Sequence, residues 1–294
     1  MKVVIGPASK ELGARIAQLL NVEPVQVFHK TFPDGESYVR LEGKVEDEDV
    51  AVVQTTSPPQ DSRLMQLAFI ADATKRNKAK RVVAVVPYFA YARQDKVFLQ
   101  GEPVSIEAVA RMLKAAGVDS LITVNVHQAK VLERLPIPAK NLSAVKLLAK
   151  HFVNMGLKGA FALAPDKGAI HIAEEAAEVL GGDYGYLEKQ RDRYTGQVTV
   201  EKKTFKVEGK SVIIFDDIIS TGGTIVAAAK VLKELGASRV YASCVHPLLV
   251  GDAEKRIREA GVEEIVGTDS VPSHVSKVSL APLIYEELKE LKSG

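Results

Sequence analysis

Short apolar runs alternate with amphipathic segments along the whole chain. The runs read KVVIG, VQVF, AVVQT, RVVAVV and SLITVNV in the first half, and GAFALAP, SVIIFD, RVYASCV and EEIVGT in the second. Between them, apolar residues recur at helical spacing, for example within Ser9–Leu20 and Asp61–Arg76. The apolar face of the first of these segments consists of Leu12, Ile16, Leu19 and Leu20. Continuous apolar strands that alternate with helices predict an α/β protein with mostly parallel sheets covered on both faces.

The alternation of strands and helices occurs twice. A helix is predicted over Asn141–Met155, and the PIPAKN stretch (residues 136–141) is the best candidate for a linker. We therefore predict two similar α/β domains, residues 1–142 and 143–294. A C-terminal helix is predicted over Pro282–Leu291, and whether it packs on the first domain is open at this point.

Composition and charge narrow the class of protein. The 294 residues are 46% hydrophobic and 26% charged, and a net charge of +2 does not indicate a nucleic-acid or anionic-membrane partner. The N-terminal MKVVIGPASK is too short in apolar residues for a signal peptide, and no run approaches the length of a membrane span. The single cysteine, Cys244, lies in an apolar run and is predicted to be a small buried hydrophobe. We expect a cytoplasmic protein.

The stretch VIIFDDIISTGGT places two acidic residues after an apolar run. Asp216 and Asp217 follow a predicted buried strand, Ser211–Phe215. A helix is predicted over Thr224–Leu235, with Gly236 as the C′ residue that ends it. Adjacent carboxylates repel each other, so a compensating partner is expected at this position.

The turn between this strand and helix has the parts of a phosphate cradle. It supplies hydroxyls, glycine N–H groups and the positive end of a helix dipole. Its residues are Ser220, Thr221, Gly222, Gly223 and Thr224. The neighbouring carboxylates would repel a phosphate, so they are expected to face sugar hydroxyls or Mg²⁺. A sugar phosphate satisfies both halves, whereas the alternative is an inert strand end with a Gly-Gly turn.

The VIIFDDIISTGGT stretch is similar to the phosphoribosyl pyrophosphate fingerprint of two families, the type I phosphoribosyltransferases and the ribose-phosphate pyrophosphokinases. By this resemblance, Asp216 and Asp217 hold the ribose 2- and 3-hydroxyls, and residues 220–224 hold the 5-phosphate. Four further stretches, TFPDGESYVR, PYFAYARQDKVFLQGEPVS, VNVHQAK and LAPDKGA, resemble the nucleotide-binding and metal-binding segments of the pyrophosphokinases. The resemblance spans nearly the whole chain and implies two phosphoribosyltransferase-type domains.

The resemblance implies a role for individual residues in these segments. The implied ATP-binding residues are Phe32, Asp34, Gly35, Glu36, Arg93 and Gln94. Phe32 would pack on adenine and Arg93 would clamp the triphosphate. The implied ligands of Mg²⁺ are His127 and Asp166. The residues themselves leave alternatives: Pro-Asp-Gly is ordinary turn chemistry, a lone histidine is usually structural, and Asp166 could cap a helix over Gly168–Leu180.

Two positions depart from the family's usual pattern. Asn125-Val126-His127-Gln128 stands where the family usually has Asp-Leu-His-Ser, which puts one metal contact in doubt. Gln66 stands where the family usually has glutamate, in a helix that is expected to be structural.

The stretch YLEKQRDRYTGQ (residues 186–197) is predicted to be a mobile hairpin, with Lys189 and Arg191 on one side of an extended chain. By the resemblance, Lys189 and Arg191 are the catalytic lysine and arginine, and Arg191 also contacts ribose 5-phosphate. The implied reaction converts ATP and ribose 5-phosphate into phosphoribosyl pyrophosphate and AMP, in a homo-oligomer. The alternatives are a phosphoribosyltransferase that uses the same sugar, and a non-catalytic regulator that binds a sugar phosphate or nucleotide.

Overall fold

The computed structural model describes residues 1–191, 198–201 and 206–293. The chain divides into two compact units. The first comprises Met1–Ser143, Ser270–Pro272 and Ser279–Gly294, and the second comprises Ala144–Asp269 and Ser273–Val278.

A seven-stranded sheet forms the centre of the first unit, in the order β3-β2-β1-β4-β5-β6-β7. Its strands are β1 (Lys2–Ile5), β2 (Val25–Thr31), β3 (Ser37–Glu42), β4 (Asp49–Val53), β5 (Arg81–Val86), β6 (Ser120–Val124) and β7 (Ala139–Leu142). Its first three helices are α1 (Lys10–Leu19), α2 (Gln60–Arg76) and α3 (Ser105–Ala115). All neighbouring strands are parallel except β2 and β3, which form an antiparallel hairpin. The apolar faces of α2 and α3 bury the core on one side of this sheet.

The second unit contains a six-stranded parallel sheet in the order β15-β14-β13-β12-β8-β9, and a separate hairpin of β10 and β11. Its strands are β8 (Phe161–Ala164), β9 (Tyr184–Tyr186), β10 (Glu188–Arg191), β11 (Val198–Glu201), β12 (Ser211–Ile219), β13 (Arg239–Pro247), β14 (Ile265–Thr268) and β15 (Ser276–Val278). Its helices are α4 (Val145–Asn154), α5 (Ile170–Leu180), α6 (Gly223–Glu234) and α7 (Ala253–Glu259). The predicted α/β class with mostly parallel sheets is confirmed.

The final helix, α8 (Ala281–Ser293), belongs to the first unit and packs on α1. Lys140 Nζ lies 2.5 Å from the Glu287 carboxylate, and Arg81 donates to the Leu291 carbonyl at 3.0 Å. No described helix combines the length and hydropathy that a membrane crossing requires.

Both sheets reverse their direction of growth at one place. In the second unit, α5 leads from β8 to β9 on one side, and α6 leads from β12 to β13 on the other. In the first unit, the corresponding neighbours are β1 and β4. Open α/β sheets bind ligands at the carboxyl ends of the strands at such a switch point.

Three predicted elements differ from the structure. The predicted helix Asn141–Met155 is wrong at its start, because β7 pairs with β6 as far as Leu142 and α4 begins at Val145. The PIPAKN stretch is therefore partly strand, and not only a linker. The predicted helix Gly168–Leu180 begins as a 3₁₀ turn over Lys167–Ala169.

Two further expectations need correction. Leu19, expected on the apolar face of α1, is 44% exposed, whereas Leu12 and Ile16 are buried. The predicted strand Ser211–Phe215 is too short, since β12 continues to Ile219.

Candidate active site

The two adjacent aspartates lie inside a strand, and not beyond its end. β12 pairs with β8 only as far as Ile214, but it pairs with β13 as far as Ile219. Asp216 is opposite Cys244 of β13. Both aspartates are partly buried. The carboxylates also accept from the backbone, with Asp217 N donating to Asp216 Oδ1 at 2.9 Å and Ile218 N donating to Asp217 Oδ1 at 2.8 Å.

The surroundings of Asp216 disfavour the simultaneous ionisation of Asp216, Asp217 and Asp166. Burial raises the pKa of Asp216 well above its ordinary value, and the charge of Asp217 raises it further. The charge of Asp166, which follows the neighbouring strand β8, raises the pKa of Asp216 in the same direction. A ligand that donates hydrogen bonds or carries positive charge would relieve this repulsion.

Asp166 comes two residues after the end of β8, at the switch point of the second unit. Its Oδ1 accepts from Gly168 N at 3.0 Å, so it caps the turn that leads into α5. The capping alternative raised by the sequence is therefore confirmed. Asp166, Asp216 and Asp217 come from adjacent strands at one edge of the sheet.

The glycine turn after β12 leaves backbone donors at the start of a helix. Gly222 has φ +78° and precedes α6, which begins at Gly223. No side chain caps this end of α6 among the described residues, and the Gly222 and Gly223 amides have no assigned partner there. A helix start with such amides suits an anion. The predicted C-terminal signal is also confirmed, because Gly236 has φ +80° and Ala237 N donates to Leu232 O.

The hairpin that contains Lys189 and Arg191 follows β9, the strand next to β8 at the end of the sheet. β9 is followed by β10, which pairs antiparallel with β11, with Lys189 opposite Val200 and Arg191 opposite Val198. The extended backbone predicted for these two positions is confirmed. The rest of the predicted loop, residues 192–197, lies outside the described residues, as do residues 202–205.

The switch point of the first unit carries different chemistry. Gln54 follows β4, where the second unit has its aspartates, and Ala8 N donates to Gln54 Oε1 at 3.0 Å. A Cβ at Gly6 would lie 2.2 Å from the same Oε1, so the Gln54 side chain fills this crevice. The turn that follows contains Pro58 and Pro59 in place of glycines. The sugar-phosphate pattern therefore belongs to the second unit.

Phe32–Glu36 forms the turn between β2 and β3. Phe32 N donates to Glu36 O at 2.8 Å, Glu36 N donates to Asp34 Oδ1 at 3.2 Å, and Gly35 has φ +94°. The turn reading of Pro-Asp-Gly is thus confirmed. Phe32 is 37% exposed, and Lys30 Nζ lies 4.4 Å from the centre of its ring. Lys30 was not singled out from the sequence, because a single lysine near the end of a strand normally indicates a solvated side chain.

Arg93, Gln94 and His127 follow other strands of the same sheet. Arg93 is exposed, and Gln94 accepts a hydrogen bond from Ser105 Oγ. His127 is exposed three residues after β6. All three lie at the same edge as the Phe32 turn, because β2, β5 and β6 run in one direction. β2 and β5 are three strand positions apart in the sheet, roughly 14 Å at normal strand spacing.

The donors that could hold a metal ion are few. The described residues contain no group of three or more His, Cys, Asp or Glu side chains arranged to hold a metal ion. His127 belongs to the first unit and Asp166 to the second. Sparse carboxylate oxygens suit Mg²⁺, which keeps several waters and binds substrate phosphates rather than a full protein cage. The donors therefore fit such an ion.

Comparison with known proteins identifies the family. Residues 1–117 match the family model described as the N-terminal domain of ribose phosphate pyrophosphokinase, and residues 198–284 match the phosphoribosyl synthetase-associated domain. The ribose-phosphate pyrophosphokinase of Methanothermobacter thermautotrophicus is 44% identical over 98% of this chain and 100% of that protein. That of Methanopyrus kandleri is 42% identical over 96% of both. The chain belongs to the ribose-phosphate pyrophosphokinase family.

A solved structure agrees with this assignment. The crystal structure of phosphoribosylpyrophosphate synthetase from Mycobacterium smegmatis has a TM-score of 0.88 and 31% identity to this chain, and the match covers 100% of this chain and 99% of that one. The predicted resemblance to the pyrophosphokinase family is thus confirmed over the whole chain, and with it the enzyme class. Within this pyrophosphokinase, Cys244 is fully buried and burial raises the pKa of its thiol, as expected for a packing residue.

Proposed function

We propose that this chain transfers the pyrophosphoryl group of ATP to the 1-hydroxyl of ribose 5-phosphate, which gives phosphoribosyl pyrophosphate and AMP. The observation that carries the proposal is the pair Asp216 and Asp217 directly before the Gly222–Gly223 turn, at the switch point of the second sheet. One half of this arrangement suits hydroxyls and the other half suits a phosphate. The family relationship supports the same substrate.

On the sugar side, Asp216 and Asp217 accept hydrogen bonds from the ribose 2- and 3-hydroxyls. Hydroxyl donors offset the burial and the repulsion by Asp217 that together raise the pKa of Asp216. The 5-phosphate binds to the turn made of Ser220, Thr221, Gly222, Gly223 and Thr224. The start of α6 and its glycine amides favour the negative charge.

On the nucleotide side, the first unit holds ATP. Phe32 offers an exposed ring for stacking on adenine, and Asp34, Gly35 and Glu36 form the turn beside it. Arg93 offers a guanidinium fork for the triphosphate, with Gln94 beside it. The two units are proposed as two domains, one for the nucleotide and one for the sugar phosphate.

Mg²⁺ is the proposed cofactor, with His127 and Asp166 each proposed as a ligand. When bound, Mg²⁺ would neutralise phosphate charge and lower the pKa of a coordinated hydroxyl. Asp166 contributes one oxygen to the Gly168 amide, and this hydrogen bond fixes the direction in which the carboxylate points.

Lys189 and Arg191 are proposed to stabilise the transferred group. The 1-hydroxyl oxygen gives up its proton to water and forms a bond to the β-phosphorus of ATP. The bond from that phosphorus to the oxygen shared with the α-phosphate breaks, and AMP leaves. Such a transfer depends on in-line positioning and charge neutralisation. Two cations at the start of the β10–β11 hairpin would supply that charge.

We also propose that the chain functions as a homo-oligomer through its first units. The β2–β3 hairpin supports this by exposing three large rings, Phe28 at 40%, Phe32 at 37% and Tyr38 at 36%. Analytical ultracentrifugation tests the proposal, and a monomer at micromolar concentration would contradict it.

One assay separates the three candidate functions. The protein is incubated with ATP, Mg²⁺ and ribose 5-phosphate, and AMP and phosphoribosyl pyrophosphate are measured. Formation of both in equal amounts is the expected result. A phosphoribosyltransferase would instead release pyrophosphate from phosphoribosyl pyrophosphate and a base, and a regulator would bind without turnover. Either outcome would overturn the proposal.

A further inference from the structure

Arg256 of α7 is bonded to the backbone of the phosphate turn. Its Nη2 donates to the Thr221 carbonyl at 2.6 Å, and its Nε donates to Asp252 Oδ1 at 2.9 Å. The contact to Thr221 is short and charge-assisted. Asp252 holds the guanidinium in place from one turn earlier in the chain, so the contact has a fixed geometry.

The hydrogen bond to Thr221 O determines which way the next amide points. The Thr221–Gly222 peptide is not among the cis peptides of the described chain. In a trans peptide the C=O and the following N–H point in opposite directions. When Arg256 draws the Thr221 carbonyl toward α7, the Gly222 N–H must point away from α7. Glycine at 222, with φ +78°, would otherwise allow this peptide to rotate.

The other contacts of the turn show that α7 and the segment before it lie on the outer side. Val250 N donates to Ser220 O at 3.0 Å, and Leu249 N donates to Ile219 O at 3.0 Å. A Cβ at Gly222 would lie 2.8 Å from Ile257 Cδ1, so α7 packs closely against the turn. Carbonyls are thus satisfied on this side. The Gly222 amide has no assigned partner among the described residues, which is what a turn that donates to an anion requires.

We propose that Arg256 is a positioning residue for the 5-phosphate turn, which holds the Thr221–Gly222 peptide so that the Gly222 N–H faces the phosphate. The proposal rests on the proposed function of the same turn. The Nη2 and Nε donors of Arg256 are engaged by Thr221 O and Asp252, so the proposed role is to position the turn and not to bind the phosphate. Arg256 acts through the orientation of one peptide.

Arg258 on the same helix provides a matched control. Its Nε donates to Glu254 Oε1 at 3.0 Å, and its Nη1 donates to the Glu263 carbonyl at 3.2 Å. The two arginines are 43% and 45% exposed, and each pairs with an acidic residue four positions earlier. They differ in which backbone carbonyl they hold. Replacing either arginine should therefore have the same effect on the stability of α7 and on the surface charge.

The test compares Arg256→Met, Arg258→Met and Arg256→Lys in the full-length enzyme. Methionine keeps the aliphatic stem and removes every donor, whereas lysine keeps the charge and an ammonium donor group but loses the guanidinium fork. Arg256→Met should raise KM for ribose 5-phosphate roughly tenfold, the lower end for a lost charged hydrogen bond, because the site is half-exposed. KM for ATP should stay unchanged. Arg258→Met should leave both values at wild type, and Arg256→Lys should recover part of the loss.

A second readout monitors the peptide itself. In ¹⁵N-labelled wild-type protein, ribose 5-phosphate should move the Gly222 amide resonance downfield, and Arg256→Met should reduce that shift while Arg258→Met preserves it. Circular dichroism checks folding. If Arg256→Met unfolds, Asp252→Asn takes its place, since it keeps Arg256 but weakens its anchor, and a smaller rise in the same KM is expected.

The outcomes separate this inference from the proposed function. If KM for ribose 5-phosphate is the same in Arg256→Met (or Asp252→Asn) as in Arg258→Met, the role of Arg256 is overturned. The proposed function is not affected by this outcome, because the wild-type protein is still active. An equal rise in KM for ATP and ribose 5-phosphate would also overturn the role of Arg256, because the effect would then not be local to the phosphate turn. Wild-type protein that neither binds ribose 5-phosphate nor forms AMP would instead overturn the proposed function, and this inference with it.

Discussion

The Gln66 side-chain nitrogen lies 3.1 Å from Nε2 of His29, and this contact joins α2 to the hairpin that leads to Phe32. Gln66 Nε2 also lies 3.3 Å from Ser37 Oγ, on the other strand of the hairpin. Gln66 Oε1 accepts from Gln54 at 3.2 Å and from Arg63 at 3.1 Å. An amide nitrogen is a donor, so His29 Nε2 must accept, and its ring is neutral with the proton on Nδ1.

The stability of the fold should depend on the protonation of His29. Burial lowers the pKa of His29, and the charges of Arg63 and Lys10 lower it further. Because the folded pKa is depressed, the unfolded state binds the proton first as the pH falls. The contribution of His29 to stability is therefore complete above its ordinary value of 6.5 and is lost as the pH falls below it. Urea unfolding between pH 8 and pH 5 measures this loss.

Gln66→Glu, which installs the residue that the family usually has, should reverse the shift. A carboxylate accepts from a protonated ring, so the pKa of His29 should rise and the loss of stability at low pH should shrink. NMR titration of the histidine rings measures the pKa of His29 in the wild type and in Gln66→Glu, with exposed His171 of the second unit as the internal control. An unchanged His29 pKa in Gln66→Glu would contradict the assigned hydrogen bond.

Gly222 and Gly223 should respond differently to alanine. Gly222 has φ +78°, and its Cβ would lie 2.8 Å from Ile257 Cδ1, whereas a Cβ at Gly223 has no heavy atom within 4 Å. Gly222→Ala should lower the free energy of unfolding by about 1–3 kcal/mol, from left-handed strain and crowding. Gly223→Ala should leave it unchanged or raise it by less than about 1 kcal/mol. Thermal denaturation compares the two, and equal melting temperatures would contradict this account of the turn.

Local signals in the sequence were sufficient for the parts of the site that depend on neighbouring residues. The glycine turn, the end of α6 at Gly236 and the Asp166 cap all follow from side-chain and backbone chemistry within a few positions. The extension of β12 through Asp216 depends instead on pairing with β13, which is distant in the sequence. β7 was missed for the same reason, since its hydrogen bonds come from β6.

The role of Arg256 could not be predicted from the sequence, for a different physical reason. The stretch EKRIRE mixes acidic and basic residues on a short helix, and such a pattern normally indicates a solvated face. Nothing in it distinguishes Arg256 from Arg258, although only the first reaches the phosphate turn. The Gln66 contacts could not be foreseen either, because a buried polar network requires that β2, β3 and α2 are already in place.

Asp216→Asn should separate stability from binding. The raised pKa of Asp216 means that its ionised form is disfavoured in the fold, so above the ordinary value of 3.8 the charge costs stability. The variant should therefore be at least as stable as wild type at pH 7. Its affinity for ribose 5-phosphate should fall by about tenfold to a hundredfold, from the loss of a charged acceptor, while ATP affinity is kept. Calorimetry of both ligands tests this, and equal losses for both would refute the ribose role.

Asp166→Asn distinguishes capping from metal binding. Asparagine caps a helix as well as aspartate does, so the melting temperature should stay near that of wild type. The Mg²⁺ concentration for half-maximal activity should rise, because one anionic oxygen is lost, and His127→Ala should act in the same direction. Asp183→Asn, at an exposed pair with Lys210, is the control. Superimposable Mg²⁺ titrations for all variants would exclude both proposed ligands.

Lys189→Ala should reduce kcat by about 10²–10³, the usual cost of removing one donor that stabilises developing charge. Lys189 lies near the start of the β10–β11 hairpin, which follows β9, and β9 pairs with β8, the strand that Asp166 follows. If its charge acts on the transferred pyrophosphoryl group, the effect belongs to the transition state, and affinity for ATP and ribose 5-phosphate should be kept. Arg191→Ala should behave similarly. The double variant should lose much less kcat than the product of the two single losses, since both cations serve one centre of charge.

Lys210→Ala is the control, because Lys210 pairs with exposed Asp183. Steady-state kinetics measures kcat, and calorimetry measures the affinity for ATP and ribose 5-phosphate. A higher KM with kcat intact would make the hairpin a binding element, and full activity in Lys189→Ala would make it a solvated surface loop.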